Sequence, residues 1–235
     1  MNRILYFIIC LGIFNLVNGQ TEGEDAQLWG YFKIEKKITK HWGAFLNLKG
    51  RAINNMMVPG RGAADMGLIY KFSKNVRAHL DYQYVQKLGT KGYYATWHQL
   101  RASLSFKRDI DHWSFIYRNM LQARSQGIFN GYDNRIIRYY DRNKLTIKYE
   151  ASKRVSLYVA EEIYIPLNDP EIKVPSRSRS FVGTLINITK HQQLDLFFMY
   201  QKQLRVTNWY KQDISYPYLP LVQKFVYGIG YTIDF

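Results

Sequence analysis

From Lys224 to Phe235 the chain alternates without a break. Phe225, Tyr227, Ile229, Tyr231, Ile233 and Phe235 are large and apolar, while Lys224, Val226, Gly228, Gly230, Thr232 and Asp234 are mostly small or polar. Successive side chains of a strand point to opposite faces, so a period of two gives this segment one face made for an apolar surrounding and one that is not. The same division recurs upstream. Trp42, Ala44, Leu46 and Leu48 oppose Asn47, Lys49 and Arg51; Val76, Ala78, Leu80, Tyr82 and Tyr84 oppose Arg77, His79, Asp81 and Gln83. Trp113, Phe115 and Tyr117 oppose Ser114, Arg118 and Gln122; Leu145, Ile147 and Tyr149 oppose Arg142, Lys144, Lys148 and Glu150; Leu194, Leu196, Phe198 and Tyr200 oppose Asp195, Gln201 and Gln203.

The connections between these segments alternate in length. Short ones at 39–41, 73–75, 108–111, 152–154 and 189–192 are interleaved with long ones at 53–62, 87–94, 125–137, 166–176 and 206–222. Transmembrane barrels have this asymmetry, with tight periplasmic turns and longer outer loops. A soluble sandwich or lipocalin-like barrel would alternate too, but would have no reason to set Trp42 and Trp113 directly after short turns, where a membrane interface places its aromatic girdle. The 20 Tyr, 13 Phe and 5 Trp are consistent with strands half in lipid. A mean hydropathy of -0.33 excludes a chain built from continuous apolar runs.

At the start, Arg3 is followed by the apolar run Ile4 to Val17 and by Asn18 and Gly19, the pattern of a secretory signal peptide cleaved between Gly19 and Gln20. The run is shorter than the roughly 20 residues of a spanning helix. The expected organisation is therefore a signal peptide over residues 1–19 and one β-barrel domain over 20–235, located in the cell outer membrane. Cys10, the one cysteine, would be removed, leaving no thiol or disulfide.

Two points of register stay open. The segments number about eleven within an expected ten to twelve, whereas single-chain bacterial barrels have even numbers. Either residues 20–27 thread through the lumen, or the first strand, Leu28 to Lys36, closes parallel to the last, or a strand is miscounted. Glu161 falls on the apolar parity with Leu157, Val159 and Ile163, and a bulge near Ala160 would turn it inward.

The formal charge of +15 admits nucleic acid, an anionic membrane surface or an anionic solute as partner. Nucleic acid is excluded as the expectation, because the cations are dispersed at strand spacing without any recognition motif. Candidate lumen and anion-binding residues are Arg51, Arg101, Arg118, Arg124, Arg142, Lys144, Arg177, Arg179, Glu150 and Glu162, joined by Lys49, Arg77 and Asp81. They read either as a salt-bridged, hydrated plug or as a porin-like passage or pocket for a small anionic solute. Arg51, Arg124, Arg177 and Arg179 share a similar height near the outer end. Outer-membrane lipid surrounds such a barrel as its other partner.

An enzyme is not expected. A lipid hydrolase or acyltransferase at the outer rim is the alternative, and His112 with Ser114 is the one His-x-Ser spacing, beside a short turn. His98 faces the lipid near the outer rim with no serine beside it in sequence. His41, His112 and His191 lie at short turns. No metal or cofactor is expected, since metal-ligand and nucleotide-loop spacings are missing. Trp209, Tyr210, Tyr216, Pro217, Tyr218 and Pro220 make the last long connection a rigid, aromatic loop suited to packing over the mouth.

Leu28, Trp29 and Gly30 through Ile34 to Ile38, then Lys40, His41 and Trp42 on to Arg51, resemble the opening hairpin of the Bacteroidota outer-membrane barrels classed as domain of unknown function 2490. Tyr117 and Arg118, and Arg142 to Leu145 with Glu161 and Glu162, are similar to that family's middle strands. The resemblance covers most of the chain and implies an outer-membrane barrel without an assigned activity. Phe235 also resembles the carboxy-terminal signal read by the barrel-assembly machinery, the expected folding partner.

Overall fold

The computed structural model describes residues 24–89, 92–126, 137–170, 172–205 and 223–235. The expected signal peptide and the aromatic loop around Trp209 and Tyr216 lie outside them. Eleven strands follow in chain order: β1 (Glu24–Lys37), β2 (Trp42–Ile53), β3 (Val58–Lys71), β4 (Val76–Leu88), β5 (Tyr94–Ile110), β6 (Trp113–Gln126), β7 (Arg138–Glu150), β8 (Val155–Pro166), β9 (Arg177–Asn187), β10 (Gln192–Gln203) and β11 (Gln223–Asp234). They form one closed barrel in which each strand pairs antiparallel with its sequence neighbour, and β1 pairs with β11.

An odd number of strands that alternate in direction leaves the first and last pointing the same way. Closure is accordingly parallel, with a register running from Glu24 opposite Gln223 to Glu35 opposite Asp234. This resolves the strand count without a missed strand. The seam is tied off at one end by Phe235, whose N–H donates to Glu35 O at 3.0 Å and whose carbonyl accepts from Lys37 N–H at 2.9 Å. Closure removes the free sheet edges that would otherwise expose unpaired backbone groups to lipid.

The two faces are inverted relative to a soluble protein. Asp65, Gln83 and Glu162 are 1–2 % exposed inside the barrel, whereas Leu48, Met66, Leu80, Leu100 and Val182 stand about half exposed on its outer surface. A lipocalin-like binder would have its leucines within, so that alternative falls and the fold is the expected transmembrane β-barrel. At the short-turn end Trp42 packs edge-on against Tyr70 at 4.8 Å, Tyr70 against Phe72 at 4.8 Å, and Trp113 against Tyr149 at 4.8 Å. That row is the interfacial girdle.

Two of the five expected long loops are tighter than the sequence implies. Residues 54–57 and 89–93 are all that connect β2 to β3 and β4 to β5. Asn54, Asn55 and Met56 take the first turn with φ of 54°, 55° and 66°, a left-handed conformation that asparagine tolerates. The remaining three outer connections are long.

The lumen-facing glycines of β9 and β11 have a specific use. The Phe197 ring lies where a side chain on Gly228 would be, the Tyr31 ring occupies that space at Gly230, and Tyr158 lies 2.6 Å from the Cβ position of Gly183. Rings from β1, β8 and β10 thus lie flat on the backbone of the adjacent strand and narrow the short-turn half of the lumen. Tyr31 Oη donates to Asp195 Oδ2 at 2.7 Å and Tyr158 Oη to Asp195 Oδ1 at 3.0 Å, bracing three strands across that half.

Glu161 does not turn inward. The pairings of β8 with both neighbours run through Ala160 without a shift, so Glu162 points into the lumen and Glu161 out. Unbroken alternation leaves no other result.

Candidate functional site: an arginine-lined lumen

Side chains from all eleven strands line a single cavity of about 720 Å³, from Glu35 and Thr232 near the short-turn end to Arg61, Arg124 and Arg177 near the long-loop end. That volume is on the scale of one small molecule. Its lining carries eleven cations, eight of them arginine, against the five carboxylates Glu35, Asp65, Asp81, Glu162 and Asp195. The excess of charge is therefore positive, and it is unevenly placed.

At mid-height the cations are paired. On one wall Asp65 accepts from Arg101 at 2.9 Å and from Lys49 and Gln83, while Arg101 Nε also donates to Asp81 at 2.6 Å. On the other wall Glu162 takes Arg142 at 2.8 Å, Arg118 at 3.1 Å and Arg179 at 3.4 Å, and accepts from Tyr164 Oη at 3.1 Å. Buried charges are tolerated when they are paired, and in both clusters every charge has an opposite partner. The planar forks of four arginines make these contacts possible at fixed geometry.

Toward the long-loop end arginines also meet neutral groups. The Arg51 guanidinium lies 3.6 Å over the Trp29 ring, with Arg179 at 5.3 Å from the same ring. Arg61 donates to Gln83 Oε1 at 2.9 Å, and Arg124 lies 3.9 Å over Trp97. Tyr164 is approached by Arg142, Arg179 and Arg177 at 4.5, 4.8 and 4.9 Å. Ring faces and amide oxygens orient a guanidinium without cancelling its charge. Among the described residues, Arg51 and Arg61 form no ion pair. They also repel: Arg51 is within electrostatic reach of Arg61, Arg179 and Arg142, and Arg61 of Arg124 and Arg179.

Of the residues singled out from sequence, Arg101, Arg118, Arg142, Arg179 and Glu162 fall in the paired layer, and Arg51, Arg124 and Arg177 in the upper tier. Lys144 lies in the lower lumen with its ammonium 4.1 Å from the Phe181 ring. Glu150 and Arg77 are exposed at the short-turn end and do not line the cavity, because their strands end before the lumen closes around them. Arg61 and Asp65 were missed. Pro59, Gly60 and Gly62 make their surroundings read as loop, yet Arg61, Ala63 and Asp65 already alternate with Ala64, Met66 and Leu68.

The register also brings together a pair that the sequence holds apart. His98 on β5 lies directly opposite Ser125 on β6, both on the outer face near the long-loop end. His98 Nδ1 is hydrogen-bonded to the Tyr82 hydroxyl, and Tyr84 packs edge-on against the imidazole at 5.7 Å. His98 and Ser125 are 4 % and 8 % exposed.

Among known proteins, the family described as "Protein of unknown function (DUF2490)" matches residues 26–212. No curated protein matches. Solved structures with a similar chain path include the NanC porin, 11 % identical over 76 % of this chain and 87 % of that one, with a TM-score of 0.47. Others are the β domain of the Bordetella autotransporter BrkA (13 % identical, 71 % and 78 % covered, TM-score 0.42) and OmpT of Vibrio cholerae (11 %, 70 % and 56 %, TM-score 0.40). At such scores these likenesses carry no argument about what this lumen holds.

Proposed function

The chain belongs to the DUF2490 family, whose description assigns no activity, and from its lumen we propose that it is an outer-membrane barrel that takes up a small anionic solute at its outer mouth. The observation that carries this reading is the upper tier, where Arg61 lies within electrostatic reach of Arg51 and Arg124 and of Arg179 from the paired layer below. Like charges gathered in a confined cavity are costly unless an anion joins them, and a positive field at the mouth raises the local concentration of that anion. In this orientation the short turns face the periplasm and the signal at residues 1–19 directs export. Phe235, at the end of the seam, serves as the tag for the barrel-assembly machinery. Planar bilayers containing the protein under a potassium chloride gradient test the passage. The expected result is a zero-current potential of the sign for anion preference, reduced by Arg177→Glu with Arg179→Glu and reversed by Arg51→Glu with Arg61→Glu. Cation preference in the unaltered protein contradicts the reading.

A second reading, a lipid-modifying enzyme at the outer rim, draws on the His98 and Ser125 pairing. A serine nucleophile needs a base within hydrogen-bond reach and a path for the substrate ester. The register supplies proximity, while the low exposure of both side chains leaves a substrate ester little access, so transport stands first. Release of fatty acid from labelled phospholipid, abolished by both Ser125→Ala and His98→Ala, would reverse that order.

A further inference from the structure

The outward face is apolar at mid-height around most of the barrel. Counted six or so residues from the short-turn end of each strand, it presents Leu48, Met66, Tyr82, Leu104, Phe198 and Ile229. Four consecutive strands break the pattern. Asn119 on β6, Asn143 on β7, Glu161 on β8 and Ser180 on β9 all point outward, each six or seven residues in from the short-turn end. A strand crosses the hydrocarbon in about 9–11 residues, so these four side chains sit near its middle. There a carboxylate or carboxamide facing acyl chains is unfavourable, and polar groups in that position mark contact with something other than lipid.

The patch is already partly organised. Asn119 Nδ2 donates to Asp141 Oδ1 at 2.6 Å and to Asn143 Oδ1 at 3.0 Å, Asn143 Nδ2 to Asp141 Oδ2 at 2.9 Å, and Tyr117 Oη to Asn143 Oδ1 at 2.5 Å. Glu161 is exposed beside this network, with no hydrogen-bond or ion-pair partner among the described residues. Each carboxamide nitrogen has two hydrogens, and one of those on Asn143 is committed to Asp141.

We propose that this face, β6 to β9, is where a second copy of the chain docks side by side in the membrane. Two copies inserted in the same direction are related by a two-fold axis along the membrane normal, so residues meet others of equal height in reversed strand order. Read across the strands the patch is amide, amide, carboxylate, hydroxyl. With the axis between β7 and β8, Asn143 of each copy meets Glu161 of the other, and Asn119 meets Ser180. Each carboxylate then faces an amide donor and each hydroxyl faces an amide, whereas a lipid tail offers neither. Interfaces within membranes are held by such polar pairs and close packing, since apolar burial supplies no driving force there.

Cysteine cross-linking tests this in the full chain, with Cys10→Ser removing the one native thiol. Leu145→Cys lies beside the proposed axis, and Leu46→Cys is a similarly exposed control on the opposite wall. Oxidation in the membrane of the expressing cell is expected to convert Leu145→Cys mainly to a disulfide-linked homodimer and to leave Leu46→Cys monomeric. Adding Asn143→Leu with Glu161→Leu should abolish the Leu145→Cys dimer while heat-modifiable migration shows the barrel intact; if that pair does not fold, Asn143→Ala replaces it. Three results overturn the proposal: equal cross-linking from both walls, a Leu145→Cys adduct to a different protein, or monomer alone from Leu145→Cys with a monomeric mass in lipid nanodiscs.

Discussion

The paired layer and the upper tier of the lumen use the same residue type to opposite ends. Around Glu162, three guanidiniums are drawn onto one carboxylate, and their charge serves to fasten β6, β7 and β9 to β8. Around Trp29 and Trp97, guanidiniums are positioned by ring faces, and at Arg51 and Arg61 the charge is left available. The first arrangement is a fastening and the second is a site. An arginine in a lumen is therefore informative only together with what holds it.

The largest effect should come from removing the centre of the fastening. Glu162→Gln leaves Arg118, Arg142 and Arg179 without their counter-charge, and the expected cost is about 3–5 kcal/mol of stability. It is read as a lower temperature for loss of heat-modifiable migration. An unchanged midpoint would show that the paired layer does not hold the wall. Next in size, Arg51→Glu with Arg61→Glu should reverse ion preference in planar bilayers at a smaller cost in stability than Glu162→Gln, about 0.5–2 kcal/mol for the lost stack on Trp29, since among the described residues neither arginine is in an ion pair. A collapse of the fold in that variant would erase the distinction between the two regions.

A smaller effect separates charge from shape. Arg51→Lys keeps the charge but loses the planar stack on Trp29, which is worth about 0.5–2 kcal/mol, so anion preference should persist while anion affinity falls several-fold. Smallest is the salt effect. With the screening length shrinking from about 30 Å at 0.01 M salt to about 3 Å at 1 M, preference set by the upper tier should weaken as salt rises. Stability set by the buried Glu162 cluster should change little over the same range.

Much of this architecture is legible in the chain. Strand alternation and Trp42 and Trp113 after their turns lead to a barrel, and the odd number of segments leaves parallel closure among three options. The paired layer is half visible: Glu162, Arg118 and Arg142 stand on the polar parity, but the chain does not reveal which carboxylate gathers which arginines. That depends on stagger between strands. Arg61 was hidden because Pro59 and Gly60 read as loop, whereas the strand runs through them with a bulge at Arg51 and Ala52. The Tyr31, Tyr158 and Asp195 brace joins residues far apart in the chain, and no local pattern announces it. Glu161 shows the converse. Parity placed it outward correctly, and only the assumption that a carboxylate must avoid lipid suggested a bulge.

The account turns on an anion resting among the upper arginines. Diffraction at the bromine absorption edge from crystals grown in sodium bromide tests that directly. The predicted result is an anomalous peak between Arg51, Arg61, Arg124 and Arg179 that disappears in Arg51→Glu with Arg61→Glu. A lumen without a peak there, or with bromide only beside the Glu162 cluster, would contradict it.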